Sequence, residues 1–475
     1  METAWLVLLI AAVYIVALAA VSYFSGRSTR TSGSFASGGR PFPAILIGFL
    51  LASEFIGTTA SVGTAQAAYE SGISAAWNVA SLGVGFVLFS FLLARRYRAL
   101  GENTISGALA SHYGERVRIA TSVIMISALL IVAVSVYASG GAVLSRLLDI
   151  DQSLAIVLVG VLATAYVSVG GMRSVVYTNM LHAVVKIVGI IALMFVAIHR
   201  VGGMGKLSAA LPDSAFSWDG VGVSQIFAWM IAGVGATFAT QYVLQAITTV
   251  ESDAKVRRTG FYAAVILIPY GILATVIGMC SAVLFPHIKS IQAMPALVTD
   301  LNPLLAGLVV SGLAGAMFGT IAALTIGAST LIFKDFYQPY FNPDADERRN
   351  FAVIRIAAGV TGLVPIALAL FADDVLSVTF LAKALRAGLA VLVLLMFYAP
   401  GYGSGRGAFW SIVISLVATI GWYVAGKPFG LDEAYVAVAA PLMVMTVSHL
   451  LRRRGGDETP SASAETAPSH SSARS

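Results

Sequence analysis

The sequence predicts an all-helical integral membrane protein with about thirteen transmembrane spans. Three observations carry this. Of 475 residues, 58% are hydrophobic and only 11% charged, which excludes an ordinary soluble domain and a disordered chain. Apolar stretches recur along the whole chain at the length, roughly 20 residues, that crosses a bilayer as a helix. Lys and Arg in the connections fall mostly on one side, nineteen between Arg27 and Arg454 against five on the other (Arg146, Arg200, Lys206, Lys289 and Lys427). The basic side is therefore expected to be cytoplasmic. With an odd number of spans, the N-terminus is expected outside and the C-terminus inside.

The expected spans are 4–24, 44–71, 75–97, 117–147, 153–169, 174–199, 222–248, 257–285, 303–333, 350–371, 375–399, 408–425 and 433–451. The first follows Glu2 and no basic residue, and is longer than a signal-peptide core, so it is expected to be retained. The Ser, Ala and Thr-rich tail from Gly455 to Ser475 is expected to be disordered. The single cysteine, Cys280, allows no disulfide framework. The net charge of +6 sits in short loops, so it does not point to nucleic acid. No Walker A, HExxH or GxSxG motif occurs, and no His/Cys/Glu cluster has metal spacing. Neither an ATP-driven pump nor an enzyme has support, and no obligate protein partner is evident.

The second span carries the chemistry. Within Phe49 to Gln66 lie Glu54, two glycines (Gly57, Gly63) and five hydroxyl residues (Ser53, Thr58, Thr59, Ser61, Thr64). A charge at mid-membrane costs at least about 2.5 kcal/mol and marks a polar interior that uses it. Glycine and small hydroxyl residues suit a helix broken mid-membrane, whose free backbone groups bind ions and polar solutes. A tight helix-packing face is the other explanation of the small residues, but it leaves Glu54 unexplained. Span 174–199 aligns Asn179, His182 and Lys186 on one face. Lys186 falls near mid-membrane unless it snorkels to an interface. Span 222–248 is a second apolar run interrupted by Gly, Thr and Gln, through Thr237, Phe238, Thr240 and Gln241. Span 303–333 is rich in small and hydroxyl residues around Gly319 and Thr320. Span 375–399 places Lys383 and Arg386 three residues apart on one face, to pair with Glu54, to bind a substrate carboxylate, or to sit at an interface.

Four stretches together resemble the sodium/solute symporter family, which includes bacterial sodium/proline and sodium/glucose symporters. Ala52-Ser-Glu-Phe-Ile-Gly57 is similar to the Ala-Ser-Asp-Met-Ser-Gly of the proline transporter's broken first core helix. Ala68 to Trp77, Val169 to Asn179, and Gly319-Thr320 to Tyr337 resemble the family's following segments in order. The resemblance implies a LeuT-type fold of two inverted five-helix repeats, 44–200 and 222–399, with broken first and sixth core helices. Residues 1–43 would be an extra helix and cytoplasmic loop, 201–221 an extracellular loop, 400–454 two C-terminal helices and 455–475 a cytoplasmic tail.

The resemblance also implies a symporter in a cell (inner) membrane. It would import a small polar organic solute by alternating access, with sodium as coupling ion and no other cofactor. By position, sodium is expected at Ala52, Phe55, Gly319 and Thr320. Solute is expected near Glu54, Thr58, Phe238 and Gln241, with Lys383 and Arg386 favouring a carboxylate or amino acid. Three departures touch the ion: Gly319 stands where the family usually has Ser, Asn179 where it often has Asp, and Lys186 adds a positive charge. Glu54, Asn179 and Lys186 are therefore the ion-coupling candidates, and a proton on Glu54 or Lys186 is the alternative to sodium. A membrane-embedded sensor or receptor is the rival from another class, and a channel a third.

Overall fold

In the computed structural model, described residues are 2–26, 31–32, 35, 41–169, 172–341, 346–372 and 374–454. The expected disordered tail and the Gly170-Gly171 step lie outside them. Among the described residues every regular element is helical, apart from an isolated bridge between Phe42 and Val250. Ten helices are long and apolar enough to cross a membrane, or eleven if one bent pair counts as a single span. Thirteen were expected from hydropathy; two further apolar helices, Ala44–Phe55 and Gln152–Ala165, are shorter.

The principal helices are α1 (Glu2–Gly26), α2 (Ala44–Phe55), α3 (Thr64–Ser71), α4 (Trp77–Leu92), α5 (Glu115–Leu148), α6 (Gln152–Val169), α7 (Met172–Val201) and α8 (Val223–Ala239). They continue as α9 (Gln241–Thr248), α10 (Val256–Leu284), α11 (Pro303–Leu331), α12 (Glu347–Ala369), α13 (Val375–Tyr398), α14 (Gly405–Val424) and α15 (Glu433–Arg454). Helices α11 and α13 are buried through most of their length, whereas α1, α12, α14 and α15 leave much of theirs exposed. An apolar residue gains nothing by leaving lipid, so the outer helices keep Leu, Ile and Phe on their surface while small and polar residues turn inward.

Two chain breaks position the site. Helix α2 stops at Phe55, where Ile56 (φ −88°, ψ 60°) leaves helical geometry. A π-type turn, Thr59–Gly63, then leads into α3. At the second break Thr240 is extended (φ −80°, ψ 128°) between α8 and α9, which meet at a bend of 44°. Irregular backbone at membrane depth survives only where protein or a polar cavity satisfies it, and both breaks are enclosed. Helix α2 packs on α7, α10 and α11, and α8 on α4 and α13.

Candidate functional site

Beside the α2 break lies a cavity of about 40 Å³. Its polar lining comes from Glu54, Thr59, Asn78, Thr320, Thr379, Lys383 and Arg386, and its apolar walls include Phe55, Leu82, Val132 and Val136. Glu54, Lys383 and Arg386 are each 3–4% exposed. Among the described residues none of the three makes an ion pair within 4.0 Å. Lys383 Nζ donates to Asn78 Oδ1 (2.9 Å) and lies 4.2 Å from the Phe380 ring centroid, a geometry in which the ring face attracts the cation. Arg386 donates from Nη1 to Thr240 Oγ1 (2.9 Å) and from Nε to Ala382 O (3.1 Å). The Oε2 of Glu54 is buried without a hydrogen-bond partner. Two cations and one carboxylate thus face one small space, and one carboxylate oxygen has acceptor capacity to spare.

A second polar cluster sits behind the α2 break. Lys186, 2% exposed, donates to Ser53 O (2.8 Å), Ser53 Oγ (2.8 Å) and Ile56 O (3.0 Å). An ammonium has three N–H donors and no acceptor, so its hydrogen-bonding capacity is filled. Ser53 Oγ in turn donates to Asn179 Oδ1 (2.8 Å), and Asn179 Nδ2 donates to Val175 O (3.0 Å). From the other side Thr320 Oγ1 donates to Glu54 O (2.9 Å). Gly57 permits that approach, since a Cβ there would stand 2.9 Å from Thr320 Oγ1.

The sequence-derived residues separate into two groups. Glu54, Phe55, Thr320, Lys383 and Arg386 meet at the cavity. Thr58, Phe238 and Gln241 do not line it. Thr58 faces α5, where it donates to Val136 O (3.3 Å) and accepts from Ser139 Oγ (2.7 Å). The Phe238 carbonyl accepts from Tyr97 OH (2.8 Å). Gln241 accepts from Ile105 N and donates to Asn103 O. Of the expected ion positions, Ala52 O accepts from Ile56 N (2.8 Å). At Gly319, which lacks a hydroxyl, Asn179 Oδ1 lies 2.5 Å from where a Cβ would be. Lys186 and Asn179 join the α2 break, not the cavity lining.

Sequence reasoning did not single out Asn78, Thr379 or Phe380, although Asn78 stands as a lone amide in an apolar run. Nor did it single out Asp335. Asp335 is 1% exposed and accepts from Ser106, Ser122 and, at 3.5 Å, Arg118. It ties the end of α11 to α5 and to the short helix Ile105–Tyr113.

Above the cavity, away from the basic loops, Phe380 stacks on Trp229 with centroids 5.1 Å apart and rings 6° from parallel. Beyond the stack opens a vestibule of about 370 Å³, lined by Glu70, Gln225, Asp374, Lys427 and Asp432 among others. Trp229 and Phe380 line the vestibule, and Thr379 and Lys383, neighbours of Phe380 along α13, line the cavity.

Solved structures share this architecture. A Na+-coupled sialic acid symporter in a substrate-bound, outward-open state superposes with a TM-score of 0.81 at 16% identity, over 94% of this chain and 98% of that one. Mhp1, a nucleobase-cation-symport-1 family transporter, gives 0.56 at 15% identity in a closed conformation with bromovinylhydantoin bound, over 90% and 95%. Its inward-facing conformation gives 0.54 at 14%, over 88% and 94%. At these identities the likeness establishes the fold, that of LeuT-type transporters. Residues 35–415 match the sodium:solute symporter family, and the chain, a multi-pass membrane transporter, belongs to that family.

Proposed function

We propose that the protein is a secondary active symporter that imports a small carboxylate-bearing solute by alternating access. One observation carries the solute class: among the described residues Lys383 and Arg386 line the cavity without a carboxylate partner within ion-pair distance, while Glu54, which also lines it, keeps Oε2 buried with no donor. Buried charges are tolerated when paired and costly when left alone. A solute carboxylate satisfies the two cations, and a hydroxyl or ammonium on the same solute satisfies Glu54. Hydroxy acids and amino acids have both. Sialic acid, named for the similar symporter, is itself an acid, which is in line with this reading.

Sodium is the coupling ion that family membership supports. A sodium-independent or proton-coupled carrier of the same fold, using Glu54 or Lys186, is favoured by the three oxygens on the Lys186 ammonium. Coupling in either case is a difference in binding free energy between outward and inward states.

The proposed frame has thirteen spans in a bacterial-type inner membrane, N-terminus outside and C-terminus cytoplasmic. Two five-helix repeats, 44–200 and 222–399, hold the breaks in corresponding places. The 44° bend between α8 and α9 and the stop in α2 support this frame. The cavity, about 40 Å³, has room for no more than a few waters, so solute entry requires α13 and α8 to part at Phe380 and Trp229.

The test is thermal unfolding of the detergent-purified protein against small acids, amino acids, sugars and vitamins, in sodium and in choline. A ligand raises the midpoint only by binding the folded state. Stabilisation by acids or amino acids, and not by neutral sugars, is the expected pattern. Stabilisation by neutral sugars alone would sink the solute assignment.

A further inference from the structure

The oxygens around the α2 break form a cation cage that is already filled. Ser53 and Ile56 point their carbonyls at one place, Ser53 adds its hydroxyl, and Lys186 Nζ sits 2.8–3.0 Å from all three. Carbonyls grouped at a broken membrane helix are ligands for a monovalent cation. Here the cation is covalently attached to the chain.

Three of the four residues expected to hold sodium fit it poorly. The Ala52 carbonyl is engaged by Ile56 N. Gly319 brings no hydroxyl, and Asn179 Oδ1 crowds the space where one would start. Asn179 carries no charge, and its Oδ1 already accepts a hydrogen bond from the Ser53 hydroxyl. The Thr320 hydroxyl donates its hydrogen bond to Glu54 O. A sodium ion at this break would also stand against a buried ammonium, a repulsion that low dielectric makes large.

We infer that Lys186 is a tethered substitute for a bound ion, so that this chain does not take sodium at the α2 break. The ammonium holds α2 to α7 as a bound cation would, bridging the backbone on both sides of Glu54. Sodium coupling then runs through other oxygens. This inference rests on the carrier reading only for its meaning in transport, because occupancy of the break is measurable without transport.

The experiment compares thermal midpoints of the full-length protein, Lys186→Met and Lys186→Gln in matched sodium chloride and choline chloride. The two neutral variants are expected to be less stable than wild type in choline. Both are expected to gain a saturable, sodium-specific upward shift larger than any shift wild type shows. A variant recovered from sodium-containing detergent but not from choline counts as the same result. The inference is overturned if the variants respond to sodium no more than wild type does. The glutamine variant keeps a polar side chain at the break and serves if the methionine variant does not fold. Transport measured on the same preparations separates the two ideas: turnover with no sodium difference between variants and wild type removes the inference and leaves the carrier.

Discussion

The Nζ of Lys186 lies 2.8 Å from both the carbonyl and the hydroxyl oxygen of Ser53, joining two helices at the place where one of them breaks. Ser53 relays the contact to Asn179. Replacing Ser53 with Ala removes one acceptor from a buried ammonium and one donor from a buried amide. Stability should fall by about 1–3 kcal/mol, the cost of leaving buried polar groups short of partners. Denaturation in detergent measures it, and an unchanged midpoint would show that the hydroxyl is dispensable.

Gly57 and Thr320 should behave as one unit. Gly57→Ala places a methyl 2.9 Å from Thr320 Oγ1, and Thr320→Val removes the bond to Glu54 O. Each alone should slow uptake and destabilise, by about 1–3 kcal/mol for the overpacked alanine. The double variant should cost less than the sum, since displacing the Thr320 hydroxyl and deleting it lose the same bond to Glu54 O. Strict additivity would contradict the contact.

Arg386→Met and Lys383→Met should each weaken carboxylate binding by roughly 10- to 150-fold, the equivalent of about 1.5–3 kcal/mol for a hydrogen bond to a charged group. Arg386→Lys should recover little, because a lysine lacks the planar fork. Glu54→Gln should discriminate differently, weakening hydroxy or amino acids more than plain carboxylates. Equal losses for all acids in Glu54→Gln would remove Glu54 from solute recognition.

The Trp229–Phe380 stack predicts a barrier. A cysteine placed at Thr379, which lines the cavity, should react slowly with a membrane-impermeant thiol reagent applied outside. Adding Phe380→Ala should speed that reaction several-fold. The native Cys280 is buried, so its background should be low. Equal rates with and without Phe380 would mean that the ring does not close the path.

Much of this was readable from the sequence, for a simple reason. In a chain this apolar, Glu54, Lys186, Lys383 and Arg386 stand out because each is expensive to bury, and that cost is local. Which of them share a space is not local. Lys383 and Arg386 look like partners for Glu54 on paper, yet Lys383 bonds Asn78 and Arg386 bonds Thr240, while Lys186 bonds the backbone beside Glu54. Thr58, Phe238 and Gln241 are expected near solute only through the family resemblance, and their bonds run elsewhere: Thr58 to α5, Gln241 to Asn103, and the Phe238 carbonyl to Tyr97. Asp335 is not legible as a structural residue because its partners, Ser106 and Ser122, are distant in sequence. Periodicity fixes the face of a helix but not the helix it meets.

Counterflow into proteoliposomes tests the central claim most directly. Vesicles preloaded with an unlabelled small carboxylate should accumulate its labelled form transiently and saturably with wild type, and much less with Arg386→Met. Binding of the acid in detergent with no counterflow would contradict a carrier and point to a sensor. Flux that never saturates would contradict it equally and point to a channel.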